Sequence, residues 1–249
     1  MTHVRLFTLF LCLVAVTTGA AEAQIPDTVP VAWAKVGSTP ADYIVTIDRA
    51  TYRSGGASAQ LRSRVPTATG FGTLTQRVRA DSLKNVRIRV SAWLRTREAQ
   101  GALLFVRVDG AVAGLDFANT ADDPVSGTSE WTRRELVVDV PDDALGVTFG
   151  LMLGGTGTVW IDDVVLDVVS PATPRSGQAP PRPQPSADTE RMLRERYAAE
   201  PTRPRNLGFE EVVTSRGEGE KLHNLTLLLT ARGGMRAARA ISLRRCSRA

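Results

Sequence analysis

Two histidines, His3 and His223, make up the whole imidazole complement of the chain, and two cysteines, Cys12 and Cys246, its whole thiol complement. All four lie toward the ends of the chain, so a Ser-His-Asp triad has no base to be built around. A thiol nucleophile or a cysteine-held metal has too few partners. No G-x-S-x-G elbow, H-E-x-x-H helix or phosphate-cradling glycine loop occurs. Acidic doublets stand at Asp122-Asp123, Asp142-Asp143 and Asp162-Asp163. Neighbours on a strand point to opposite faces, so Asp162 and Asp163 cannot act together as a glycosidase pair. The other two doublets sit beside Pro124 and Pro141, in turns. The sequence predicts a protein that is not an enzyme.

Binding chemistry is better represented. In Val86 to Thr96, Ile88, Val90, Ala92 and Leu94 alternate with Arg89, Trp93 and Arg95; in Ala102 to Val108, Leu104, Val106 and Val108 alternate with Phe105 and Arg107. The aliphatic stripes take the core, which leaves Arg89, Trp93, Arg95, Phe105 and Arg107 as the candidate ligand-binding set. The apolar C–H faces of a sugar ring stack on aromatic rings, and its hydroxyls accept from guanidinium groups, so a saccharide is the ligand class expected. The alternative open at this stage is that Trp93 and Phe105 pack beneath the loop at 111–126, with the arginines paired to Asp109 or Asp116. Trp131 and Trp160, at strand starts, read as core residues, and Trp33 lies near the N-terminal edge.

The elements that position these residues are strands. Period-2 alternation recurs at 43–48, 58–63, 71–79, 86–96, 102–108, 134–140, 147–153 and 159–169, separated by turn signals such as Gly55-Gly56, Asp109-Gly110 and Gly154-Gly155. The pattern predicts an all-β, antiparallel β-sandwich over residues 24–170, long enough to bury one core. From 171 to 189 a Pro-rich linker follows, with prolines at 171, 174, 180, 181, 183 and 185. Residues 190–249 read as a short helix and a largely disordered basic tail, with a truncated second domain beginning at Arg205 to Glu211 (RNLGFEE) as the alternative. The net charge of +5 belongs to the tail: residues 24–170 sum to −2 and residues 171–249 to +7. A folded part so near neutral predicts no nucleic-acid partner.

At the N-terminus, Arg5, the apolar run Leu6 to Ala20 and Ala21-Glu22-Ala23 match a signal peptide over residues 1–23. The expectation is an exported protein, periplasmic or extracellular, with no membrane span after cleavage.

The strand region resembles the jelly-roll, galactose-binding-like domains of carbohydrate-binding modules. The likeness rests on Tyr52 to Leu61 (YRSGGASAQL), Gly70 to Gln76 (GFGTLTQ), Arg87 to Gly110 with its R-V-D-G hairpin, Gly127-Thr128 with Trp131, Val137 to Pro141 (VVDVP) and Gly157 to Val164 (GTVWIDDV). Leu115 to Pro124 departs from the pattern, in a loop that the resemblance places beside the ligand. The resemblance implies a jelly roll and a non-catalytic carbohydrate-binding or adhesion module whose partner is a saccharide or cell-envelope glycan. It also implies one structural calcium, with Asp48 and Asp163 as the candidate ligands and no other cofactor. The rival reading is the N-terminal accessory part of a truncated secreted hydrolase.

Overall fold

The computed structural model of the chain describes residues 27–177 and 186–211. The signal-peptide and basic-tail expectations, and the part of the linker at 178–185, lie outside the described residues. In chain order the strands are β1 Ala34–Gly37, β2 Tyr43–Asp48, β3 Ser58–Ser63, β4 Phe71–Arg79, β5 Val86–Asp109, β6 Asp116–Asn119, β7 Val125–Val140, β8 Gly146–Gly154 and β9 Thr158–Val169; α1, Ala187–Ala198, follows. Every strand pairing is antiparallel.

β5 organises the fold. Its 24 residues would reach roughly 80 Å if straight, far beyond a domain of this size. Instead the ladder to β7 shifts register between Leu94, Thr96, Ala99 and Ala102, and Glu98 adopts a left-handed φ of 52°. Bulges of this kind bend a strand and re-aim its faces. Before the bend β5 pairs with β7 and β9; beyond it β5 pairs with β8 and β6. Gly157, at the β8–β9 turn, has a φ of 118° and leaves no room for a Cβ against the backbone of Glu98 and Ala99, so the turn lies directly on the bend.

Two layers result, β2-β3-β9-β5-β7 and β1-β4-β8-β5-β6, which share β5. Their inner faces meet in one hydrophobic cluster. Ile88, Val90 and Leu94 from the first half of β5 and Leu104, Val106 and Val108 from the second are all fully buried in it, with Leu74, Phe149, Leu151 and Ile161. This is the antiparallel sandwich that the alternation predicts, with the aliphatic stripes on the core side. What the sequence reads as two strands is one strand crossing between layers.

Packing also crosses the boundary read at residue 170. Arg87 donates to the carbonyls of Pro171 and Thr173, Arg175 reaches the buried Asp116 carboxylate at 2.8 Å, and the Val137 amide donates to Ser176. The first part of the Pro-rich segment is therefore docked, and not a free spacer. In α1, Leu193 and Tyr197 are four residues apart on one face, and both are buried. Beyond α1 the chain enters the sandwich itself. Gln76, on the inward side of β4, holds the backbone of Arg205 through two hydrogen bonds of 2.7 and 2.8 Å. Trp33 Nε1 donates to Asn206, the Val164 amide donates to Leu207, and the Glu210 carboxylate accepts from Gly56. Phe209 is completely buried against Trp33, ring centroids 5.0 Å apart. The RNLGFEE segment is thus packed into this sandwich.

Candidate functional site

The bend in β5 divides the five predicted ligand-binding residues. Arg89, Trp93 and Arg95 precede it, and Phe105 and Arg107 follow it. All five stand opposite the core stripe, but the two halves of β5 lie in opposed layers, so their outer faces point away from each other. A single platform of all five residues does not form.

On the outer face of the second layer, Phe105 is buried to 8% exposure. Arg107 donates to Asp109 at 2.9 Å, the pairing held open from the sequence. Asp109 is completely buried and also accepts from the Gly114 amide and, at 2.6 Å, from the Tyr197 hydroxyl of α1. That hydroxyl lies 2.8 Å from Thr148 Oγ1 of β8. Burial works against the charge on Arg107, yet the Asp109 carboxylate raises its pKa. Burial also pushes the Tyr197 phenol up, with Asp109 adding to the shift. This cluster ties α1 to the sheet. Asp109→Ala strips the acceptor from Arg107, Tyr197 and Gly114 together and is expected to cost about 2–3 kcal/mol in denaturant melts, with Asp109→Asn recovering part of the loss. A cost below about 0.5 kcal/mol would show the cluster to be incidental.

The outer face of the first layer is open and laced with ion pairs. Arg87 pairs with Asp139 at 2.7 Å, Arg89 with Asp167 at 2.7 Å, Arg95 with Glu130 at 3.3 Å and Arg133 with Glu135 at 2.6 Å. Trp93 is half-buried, and the Arg53 guanidinium covers its ring at 3.9 Å from the centroid while also pairing with Asp163 at 2.6 Å. Trp160 is buried as predicted, but on this outer side: its indole donates to Asp48 at 2.8 Å, and Arg97 lies over its ring at 5.3 Å. Trp33 is in the core, whereas Trp131 is only half-buried.

Register arranges these side chains in rows, because directly paired residues share a face. Gln60, Trp160 and Arg95 form one row across β3, β9 and β5; Arg62, Thr158 and Arg97 form the next. The second row opens into a groove of about 500 Å³ lined by Gln60, Arg62, Ser63, Arg97, Glu98 and Thr158 among others. Gln60, Arg62 and Arg97 are absent from the sequence-derived set. The strand alternation alone carried them, since each has the outward parity of its strand.

The two carboxylates expected to hold calcium do not fit an ion. Asp48 accepts from the Ala50 and Thr51 amides and the Trp160 indole. Burial works against its charge, but these donors hold its carboxyl below the usual range. Asp163 is taken by Arg53 and the Ser54 hydroxyl. Calcium needs free oxygen lone pairs, and here N–H and O–H donors, one of them cationic, already engage those oxygens. Among the described residues no group of three or more His, Cys, Asp or Glu is placed to hold a metal. The buried Asp162 likewise spends its oxygens on the amides of Arg53, Ser54 and Asp163.

No known protein-family profile matches the chain. It is 36% identical over 145 residues to the uncharacterized HTH-type transcriptional regulator YbfP of Bacillus subtilis, a match covering 57% of this chain and 49% of YbfP. The chain thus spans about half the length of that relative. Among solved structures it is similar to the enzymatically active domain of bacteriophage CBA120 tailspike protein 4, at 18% identity and a TM-score of 0.45 over 56% of this chain and 20% of that one. It is also similar to the CBM22-1–GH10 modules of a Clostridium thermocellum endo-1,4-β-D-xylanase complexed with xylohexaose, at 17% identity and a TM-score of 0.42 over 57% and 28% of the two chains. A third similarity is to the module TmCBM61 in complex with β-1,4-galactotriose, at 16% identity and a TM-score of 0.39 over 55% and 88%. At such scores these structural likenesses carry no weight on ligand or activity.

Proposed function

We propose that the sandwich is a non-catalytic saccharide-binding module of an exported protein, and that it binds on the outer face of the β2-β3-β9-β5-β7 layer. One observation carries the proposal: Arg95, Trp160 and Gln60, then Arg97, Thr158 and Arg62, stand in register on three adjacent strands and open into a polar groove. Guanidinium and amide donors suit hydroxyl-rich ligands, and the indoles beneath Arg53 and Arg97 hold those cations in place. Of the residues singled out in the sequence, Arg89, Trp93 and Arg95 remain on this face. Phe105 and Arg107 leave it, because the bend in β5 carries them to the far side. The relationship to a transcriptional regulator does not favour DNA as the ligand of this segment. The described residues hold a sandwich and one α-helix, whereas a helix-turn-helix needs two helices.

The test is a glycan array on the full chain, followed by titration of each ligand found. Trp93→Ala is expected to abolish binding, since Arg53 loses its stacking surface, while stability falls by about 1 kcal/mol or less. If the variant unfolds instead, Trp93 is a structural residue and the proposed face loses its support. An array on which no glycan is retained would overturn the reading.

A further inference from the structure

The arginines of the first layer's outer face divide into two kinds. Arg53, Arg87, Arg89, Arg95 and Arg133 are each matched by a carboxylate. Arg62 and Arg97 are not: among the described residues the side chain of neither makes an ion pair or a hydrogen bond. These two flank Thr158, one on β3 and one on β5. Strands lie about 4.8 Å apart, so the two Cα atoms stand roughly 10 Å from each other across that threonine. The arms share a face and reach over the same groove. Arg97 is further held in position above the Trp160 ring. Glu98 also lines the groove, but it pairs with neither arginine, and its backbone amide donates to Thr128 at 3.1 Å.

Two unmatched guanidinium groups facing one polar groove lack only an anion. Each presents a planar fork that donates paired hydrogen bonds to a carboxylate or sulfate. Gln60, Ser63 and Thr158 in the same lining supply neutral partners for hydroxyls. We infer that the groove takes an anionic saccharide, with the oxyanion of a uronate carboxylate or a sulfate ester held between Arg62 and Arg97. This inference rests on the saccharide-binding reading and names the charge class of its ligand.

The experiment titrates the full chain by calorimetry with three sets of oligosaccharides: polygalacturonate fragments, sulfated galactan fragments and neutral galactan fragments. One of the two anionic sets is expected to bind at least about tenfold more tightly than the neutral set, and which set does so identifies the oxyanion. Arg62→Gln and Arg97→Gln should each lower that affinity by roughly tenfold with melting unchanged, and affinity should fall as salt rises. Arg133→Gln, which removes a paired arginine of the same face, should leave it unchanged. Neutral fragments bound as tightly as the anionic ones, with both variants silent, would overturn this inference and leave the saccharide reading standing. Binding of inorganic sulfate as tight as that of any oligosaccharide would also overturn it. Binding to none of the three would overturn this inference, while the saccharide reading is decided separately by the glycan array.

Discussion

A chain ending at Ser170 is expected to lose the cooperative melt that a chain spanning 24–211 shows, and Phe209→Ala in the longer chain should cost about 3–5 kcal/mol. Phe209 is completely buried, it lies on Trp33, and the segment carrying it is fastened at several points: by Gln76 to Arg205, by Trp33 to Asn206, by Val164 to Leu207 and by Gly56 to Glu210. Removing the segment leaves the inward amide of Gln76 without its two backbone partners. It also takes the fully buried Phe209 ring out of the core and off the face of Trp33. Buried polar groups left unpaired add to the loss of apolar burial. Thermal melts followed by circular dichroism check both arms. A sharp transition for the short chain within a few degrees of the longer one would show that the residues from 171 to 211 are an appendage.

Phe149→Ala should likewise cost about 3–5 kcal/mol. Phe149 is fully buried mid-strand in β8, paired with Gln76 on one side and Val106 on the other, and it meets Trp33 edge-on at 5.9 Å. Phe149 and Phe209 thus share one aromatic neighbour, and side chains that share a partner do not contribute independently. The double variant is expected to lose measurably less than the sum of the two single losses, by about 0.5 kcal/mol or more. Strict additivity in chemical denaturation would mean that Trp33 does not couple the tail segment to the core. A single Phe149→Ala loss below about 1 kcal/mol would mean that the site collapses around the missing ring.

Much of the molecule was legible along the chain. The bounds of β2, β3 and β4 follow directly from the alternation and its flanking turns, and the core stripe of β5 reads correctly on both sides of the bend. The short strands β1 and β6 escaped, because four residues are too few for a period to show. The short helix expected from residue 190 onward is found at Ala187–Ala198, but its thin apolar face gave no sign of where it would dock. Leu193 and Tyr197 are enough only because the sheet supplies the other half of the contact.

The ligand surface divides along the same line. Sequence fixes the parity of a side chain, since successive residues on a strand alternate between faces whatever the strand's neighbours are. On that ground alone Arg89, Trp93, Arg95, Phe105 and Arg107 belong opposite the core, and all five are found there. Parity says nothing about which outer face a residue reaches. The register shifts at Thr96 and Ala99 and the left-handed Glu98 turn β5 from one layer into the other, which sends Phe105 and Arg107 to the side occupied by α1. Nor does it say which charges find partners. Arg62 and Arg97 are alike in type to Arg87 and Arg89, yet they lie opposite Thr158, while the others lie within reach of Asp139 and Asp167. Alternation is a local property that each segment carries by itself; layer, partner and groove depend on pairings between residues tens of positions apart, and only the folded chain sets those.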